Sequence, residues 1–194
     1  MKKLGLSLLL LLSLSLGAQT SFYTQLAHSA ERLTKQTVEY DPSYFSIKYP
    51  NGDVPKGKGV CTDVVIRAYR KVGLDLQKLV HEDMSRNFLA YPNIWGLKGP
   101  DKNIDHRRVP NLMVFFASYG ESLSIETDPS IYLPGDVVCW SLGGAITHIG
   151  IVSSKKSNDG VRYLIVHNIG SGQEFSDCLL DYRIIGHYRY KGPQ

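Results

Sequence analysis

The chain has 194 residues, of which 43% are hydrophobic and 21% are charged, a balance that fits one globular domain with its own core. The formal net charge of +4 includes the two N-terminal lysines, so the rest of the chain is too weakly basic to indicate a nucleic-acid-binding protein. Three cysteines are too few for a disulfide scaffold, and their odd number leaves at least one thiol outside any intrachain bond. Cys139 and Cys178 could pair and leave Cys61 free, but spacing alone does not fix the connectivity.

Residues 1–18 are typical of a secretory signal peptide. Lys2 and Lys3 precede an apolar run that ends at Leu16, and Gly17-Ala18 supplies small residues for cleavage. The run is short for a membrane span, although an uncleaved anchor is the alternative. We therefore expect an exported protein, periplasmic or secreted, with no stable membrane insertion after cleavage and with one hydrolase domain over residues 19–194.

Hydrophobic residues at helical spacing predict four helices in the first two thirds of the chain. They cover residues 19–40, 61–72, 76–90 and 110–119. The last third predicts short strands, at residues 122–126, 137–140, 148–152, 161–168 and 184–190. Helices followed by a run of strands indicate an α+β fold, with N-terminal helices packed on an antiparallel β-sheet.

Cys61 is predicted to lie at the start of a helix, on the same stripe as Val64 and Val65. The free N–H groups and the helix dipole favour an anion there, so we expect a lowered thiol pKa and a nucleophilic thiolate. A small buried side chain without catalytic function is the structural alternative. Asp63 could act as a negative charge at the helix N-terminus, which we favour, or as a substrate contact.

A thiol nucleophile needs a base, and the base needs an orienting partner. His148 begins an apolar strand after a glycine-containing loop, so it is expected at the rim of the sheet. Gly150 on the same face leaves room for a helix or a substrate to come close. The next strand brings His167 or Asn168 near His148, and we prefer His167 as the group that fixes its tautomer.

Other polar residues are candidates for substrate contacts. The Tyr49 hydroxyl could stabilise an oxyanion together with the backbone N–H of Cys61. Arg107 and Arg108 could bind substrate carboxylates, with His106 at the border of the site, although a solvated charged turn is equally compatible with the sequence.

A metal site is the less favoured interpretation of the same chemistry. Zinc would need four ligands from four separate elements, and the chain has neither a Cys-x-x-Cys nor a His-Glu-x-x-His motif. We expect no metal and no other cofactor. The four side chains concerned are Cys61, His148, His167 and His187.

Several short motifs carry a family resemblance. Over most of residues 49–170 the chain resembles the NlpC/p60 cell-wall peptidases, which implies a papain-like fold with Cys, His and a third polar residue in that chain order. The matching residues are Tyr49, Gly52-Asp53, Pro55, Cys61-Thr62-Asp63, Ala68-Tyr69, Gly73, Pro134-Gly135-Asp136-Val137-Val138, His148-Ile149-Gly150-Ile151-Val152 and His167.

Three further segments resemble an exported bacterial family known as domain of unknown function 1287, over nearly the whole mature chain. They are Gly59-Val60-Cys61-Thr62-Asp63, residues 103–111 and Val166-His167-Asn168-Ile169-Gly170. Two departures from the common wall enzymes bear on specificity. Val60-Cys61-Thr62-Asp63 replaces their Asp-Cys-Ser-Gly, and an insert of about residues 81–130 precedes the strands.

The sequence therefore predicts a cysteine hydrolase, a peptidase or amidase, that uses Cys61, His148 and His167. By the resemblance, its partner is an amide bond of a cell-envelope peptide, above all the peptidoglycan stem peptide. The alternatives are an inactive module that binds wall peptides, and an acyl or amide transferase with the same Cys-His pair.

Overall fold

The computed structural model of the protein describes residues 22–193. The predicted signal peptide lies outside these residues. The described chain contains four α-helices: α1 over residues 22–33, α2 at Cys61–Lys71, α3 at Leu76–Asn87 and α4 at Val109–Tyr119. No helix in this part of the chain is long and apolar enough to cross a membrane.

Two sheets accompany the helices. In the smaller sheet, β1 (Glu39–Tyr40) pairs in parallel with β2 (Lys58–Gly59). The larger sheet has six strands in the order β3-β8-β4-β5-β6-β7, and every neighbouring pair is antiparallel. Its strands are β3 (Glu121–Ser122), β4 (Val137–Gly143), β5 (Ile146–Lys156), β6 (Tyr163–His167), β7 (Glu174–Ser176) and β8 (Arg183–Arg189). This architecture confirms the predicted α+β class.

A hydrophobic core covers each face of the larger sheet. Successive residues of a strand point to opposite faces, so one strand contributes side chains to both cores. One face packs against the helices and contributes Cys139, Ile149 and Val166 to a core that also holds Cys61. The other face carries a smaller core, built from Tyr132, Val138, Trp140, Val152, Ile165, Cys178 and Leu179. Neighbouring residues of β5 therefore lie on opposite faces of the sheet.

The start of α2 agrees with the prediction, and so does its end. Val64, Val65 and Ala68 are fully buried, as the helical stripe requires. Gly73 follows the helix with a φ of 89°, the left-handed conformation that glycine adopts without steric cost.

The turn that precedes β4 is held by a buried carboxylate. Asp136 accepts hydrogen bonds from Arg189 Nε at 2.6 Å and from the backbone N–H of Leu133 at 2.8 Å, and it lies 2.8 Å from His187 Nε2. The Pro134-Gly135-Asp136 motif is therefore explained by the attachment of β4 to β8.

The structure corrects three predicted elements. Residues 34–40 are not helical, because the chain turns after Leu33 and enters β1. The loop predicted before His148 is a hairpin, since β4 continues to Gly143 and β5 already begins at Ile146. Strand β7 was not predicted, because its three residues carry too little pattern to be recognised without their partner strand.

Candidate active site

Cys61 is the first residue of α2 and lies at the floor of a cleft. Its side chain is 7% exposed, and burial raises its pKa to about 12. The negative charge of Asp63 acts in the same direction, while hydrogen bonding from the backbone of Ile149 opposes it. The expected lowering of the thiol pKa is therefore wrong for the free protein, since desolvation outweighs the helix N-terminus.

The two histidines chosen from the sequence meet each other. His148 Nε2 lies 2.7 Å from His167 Nδ1, across the antiparallel pair β5–β6. Both side chains are at most 3% exposed. Burial lowers the pKa of His148 to about 3 and that of His167 to about 4, so both imidazoles are neutral near pH 7.

Gly150 makes this contact possible. A Cβ atom built on Gly150 would lie 2.6 Å from Ile165 Cγ2 and 3.2 Å from His167 Cβ. Gly150 does permit a close approach, but the neighbour that approaches is strand β6 and not the predicted helix or substrate.

The thiol and the imidazoles lie on opposite faces of β5. Cys61 packs with Ile149 on the helix side of the sheet, whereas the His148 ring lies 5.8 Å from that of Trp140 on the other side. Within residues 22–193 no hydrogen bond joins Cys61 Sγ to either imidazole, and His148 Nδ1 has no hydrogen-bond partner. His148 Nδ1 is thus the ring nitrogen that the contact with His167 leaves unused.

Asp63 forms a buried ion pair with Arg107. Arg107 Nε donates to Asp63 Oδ1 at 3.0 Å, and the backbone N–H of Val60 donates to Asp63 Oδ2 at 2.7 Å. Arg107 also donates to the carbonyl oxygens of Ser43 at 3.0 Å and Asp41 at 3.4 Å. Each guanidinium nitrogen has a partner within the chain, so Arg107 is held by Asp63 and residues 41–43 and is not free to bind a substrate carboxylate as expected, and Asp63 serves the helix start.

Thr62 strengthens the same attachment. Its hydroxyl donates to the carbonyl of Arg107 at 3.2 Å. Thr62 and Asp63 together fix the 3-10 turn Asp105–Arg107 onto the start of α2. Thr62 and Asp63, the two residues that follow Cys61, therefore attach the insert to the start of α2.

The cleft above Cys61 has a volume of about 220 Å³. This is less than the roughly 300–1,000 Å³ of pockets that enclose a drug-sized ligand, so it suits an extended chain that lies across it. Most of its wall comes from the insert between α2 and the sheet. The lining residues are Tyr40, Pro42, Val60, Cys61, Trp95, Ile104, Arg107, Arg108, Val109, Pro110 and Thr147.

Arg108 and Trp95 form one wall of the cleft. The Arg108 guanidinium carbon lies 4.0 Å from the centroid of the Trp95 ring, and Trp95 is 38% exposed. Arg108 Nη1 is buried and has no hydrogen-bond partner in the described part of the protein, although it lies 3.8 Å from Asp105 Oδ1. Of the two predicted arginines, Arg108 is thus the one with donor capacity at the cleft.

The tyrosine beside Cys61 is Tyr40 and not Tyr49. Tyr40 lines the cleft, and its pKa is raised by burial and then by the charge of Cys61. The Tyr49 ring instead packs edge-on against His81 of α3, with centroids 5.1 Å apart. The expectation for Tyr49 is wrong because the β1–β2 pairing, which delivers Tyr40, joins residues 19 positions apart in the sequence.

Two other predicted site residues have structural positions. His106 is 2% exposed and does not line the cleft, and burial together with the positive charge of Arg107 lowers its pKa to about 3. Asn168 donates to the carbonyl of Gly59 at 3.2 Å and accepts from the N–H of Gly170 at 3.1 Å. Asn168 therefore ties the end of β6 to β2, and His167 is the residue that contacts His148.

The three cysteines are free thiols. Cys139 and Cys178 belong to cores on opposite faces of the sheet, which explains why they do not pair. In the described range no group of three or more His, Cys, Asp or Glu side chains is arranged to hold a metal ion. His187, a member of the zinc alternative, is instead paired with Asp136.

A larger cavity of about 800 Å³ lies away from this chemistry. It opens between the end of α1 and the C-terminal half of α2, where Arg67, Arg70 and Lys71 line it. Cys61 and the two imidazoles do not line it, so cavity volume alone does not locate the candidate site.

The comparisons define the family of the chain. The sequence pattern of the family described as "Domain of unknown function (DUF1287)" matches residues 27–190, so the protein belongs to this family. One relative is the "Uncharacterized protein YijF" of Escherichia coli (strain K12), which is 50% identical over 165 residues, covering 85% of this chain and 80% of that protein.

Proposed function

We propose that the protein is an exported cysteine hydrolase of papain-like fold that cleaves amide bonds in cell-envelope peptides, with the peptidoglycan stem peptide as its substrate class. The observation that carries the proposal is the buried His148–His167 pair at 2.7 Å, on the strand whose next residue contacts the thiol at the start of α2. A helix-start thiol, a strand imidazole and an orienting imidazole are the parts that a cysteine hydrolase requires.

The resting site holds a neutral thiol and neutral imidazoles, so the thiolate has to form during the reaction. The Cys61 S–H proton passes to His148 Nδ1 as the sulfur attacks the substrate carbonyl carbon. His148 Nε2–H meanwhile donates to His167 Nδ1, which stabilises the imidazolium. In this proposal the backbone N–H of Cys61 and the Tyr40 hydroxyl stabilise the oxyanion.

Collapse of this intermediate breaks the C–N bond, and the imidazolium gives its proton to the leaving amine. The acyl group then remains on sulfur as a thioester. Water, deprotonated by His148, attacks the thioester and releases the acid and the thiol. The first step also requires a rearrangement that brings Cys61 Sγ to His148 Nδ1, because the two side chains lie on opposite faces of β5.

The cleft wall supports a peptide substrate that carries a carboxylate. Arg108 lines the cleft with its guanidinium carbon 4.0 Å from the Trp95 ring centroid, and its positive charge could attract a substrate carboxylate. Stem peptides carry such groups. The predicted signal peptide and the resemblance to NlpC/p60 enzymes support the envelope as the location.

A binding module without catalysis is the second candidate. It is favoured by the thiol pKa of about 12 and by the missing hydrogen bond between Cys61 and His148. Such a module would use the same cleft and the same Arg108–Trp95 wall.

Digestion of purified muropeptides tests the proposal. Wild-type protein is expected to produce new fragments by mass spectrometry, while Cys61→Ala and His148→Ala produce none and Cys139→Ala, which removes a buried thiol outside the site, still cuts. Binding of muropeptides without any cleavage would select the binding module. Cleavage that survives Cys61→Ala would overturn the mechanism.

A further inference from the structure

Cys178 lies behind the imidazole pair. Its Sγ atom is 3.8 Å from His167 Nε2, the ring nitrogen opposite the one that meets His148. Cys178 is 6% exposed and packs in the smaller core, so little water competes for this contact. The mechanism above gives this thiol no role.

The hydrogen bond between the rings couples their tautomers. A single proton lies between His148 Nε2 and His167 Nδ1 when both rings are neutral. If His148 carries it, His167 must be protonated at Nε2, and His148 Nδ1 is bare. If His167 carries it, His167 Nε2 is bare, and His148 Nδ1 bears a proton. Only the first arrangement leaves a base for Cys61.

We propose that Cys178 is a positioning residue whose sulfur accepts a hydrogen bond from His167 Nε2–H and thereby selects the tautomers that leave His148 Nδ1 unprotonated. This inference rests on the proposed function and names a further residue of the same site. The observed contacts run from His148 through His167 to Cys178, and the proposed mechanism adds Cys61.

The direction of the Cys178 S–H group decides which arrangement forms. When this proton points away from His167, the sulfur accepts from His167 Nε2–H. If the thiol instead donated to His167 Nε2, the pair would adopt the second arrangement and His148 could not accept the proton of Cys61.

Histidine tautomers are measurable without knowledge of the substrate. Long-range ¹H–¹⁵N NMR spectra of the ¹⁵N-histidine-labelled protein, assigned with single-histidine variants, should show His148 and His167 protonated at Nε2 in the wild type. Cys178→Ala should introduce Nδ1–H forms of both rings, while Cys178→Ser retains the wild-type tautomers. Cys139→Ala is the control, because that thiol is buried on the other face of the sheet.

Nδ1–H forms in the wild type, or tautomers unchanged in Cys178→Ala, would overturn the inference. Should Cys178→Ala fail to fold, Cys178→Val removes the acceptor at similar volume. With a cleaved muropeptide, Cys178→Ala is expected to lower kcat about tenfold at unchanged KM, the size of one neutral hydrogen bond. A wild type that cuts nothing would defeat the hydrolase proposal, but its tautomers would still decide the role of Cys178.

Discussion

Two buried polar pairs flank the start of α2, and they are built in opposite ways. Asp63 and Arg107 are joined through several hydrogen bonds, and the remaining guanidinium donors reach backbone carbonyls. His148 and His167 share one hydrogen bond, and His148 Nδ1 remains without a partner in the described part of the chain. The first pair has the saturation expected of a structural element. The second leaves one ring nitrogen unused, which is the property that the proposed proton acceptor needs.

Removal of the imidazole base is the largest expected effect on activity. His148→Ala should lower muropeptide hydrolysis by about 10²- to 10⁴-fold, because the thiol then has no proton acceptor. Steady-state assays by chromatography measure the rate. His28→Ala is the control, since His28 is exposed on α1 and should leave the rate unchanged. Equal rates for His148→Ala and wild type would show that the His148–His167 pair is not part of a reactive site.

Removal of one member of the ion pair should mainly affect stability. Asp63→Ala is expected to lower the free energy of unfolding by about 3–5 kcal/mol, because it leaves Arg107 buried and unpaired. Urea denaturation measures the loss. Asp53→Ala is a matched control, because the Asp53 side chain is 39% exposed where it pairs with Arg67, and such a pair contributes about 0–1 kcal/mol. Similar losses in the two variants would show that Asp63 and Arg107 are not a structural pair.

Acid should destabilise the fold through its neutral histidines. The pKa values of His106, His148 and His167 lie at about 3, 3 and 4 in the folded protein, below the ordinary 6.5. The unfolded chain then binds more protons below pH 6.5, so stability is lost as the pH falls from there. At pH 5 each histidine contributes a loss of about 2 kcal/mol.

Asp105 opposes this loss of stability. Burial raises its pKa to about 6, so the folded protein takes up this proton at a higher pH than the unfolded chain and gains stability from it as the pH falls. His106→Leu should shrink the stability difference between pH 7 and pH 5 by about 2 kcal/mol relative to wild type. Denaturant midpoints at the two pH values measure this. An unchanged difference would mean that His106 is not held neutral by the fold.

Substitution of Gly150 tests whether the position of the His167 imidazole matters. Gly150→Ala places a methyl group against Ile165 and His167, so it should displace the imidazole, lower stability by about 1–3 kcal/mol and reduce hydrolysis. Gly99→Ala is the control, since a Cβ there meets no atom within 4 Å. Full activity in Gly150→Ala would show that the position of His167 is not critical.

The sequence predicts local and periodic features of this protein well. The start of α2 at Cys61 and the placement of His148 near His167 follow from helical spacing and strand alternation. Strand pairing alone leaves His167 and Asn168 as alternatives, and the structure agrees with the preferred residue, because His167 contacts His148.

Features that depend on distant contacts could not be predicted in the same way. Tyr40 reaches the cleft because β1 pairs with β2, and two-residue strands leave no pattern in the sequence. Arg107 looked available because its partner Asp63 lies 44 positions away. The thiol pKa was predicted in the wrong direction because a helix start is visible in the sequence, whereas the burial that opposes it is set by the insert and the sheet.

Covalent labelling with a wall-peptide analogue that carries a thiol-reactive electrophile tests the central claim most directly. At pH 7 the account predicts a single adduct, located on Cys61 by peptide mass spectrometry, and strongly reduced labelling in His148→Ala, although the denatured protein labels at all three cysteines. Labelling of Cys139 or Cys178 in the folded protein, or equal labelling of Cys61 in wild type and His148→Ala, would contradict the claim that His148 activates Cys61.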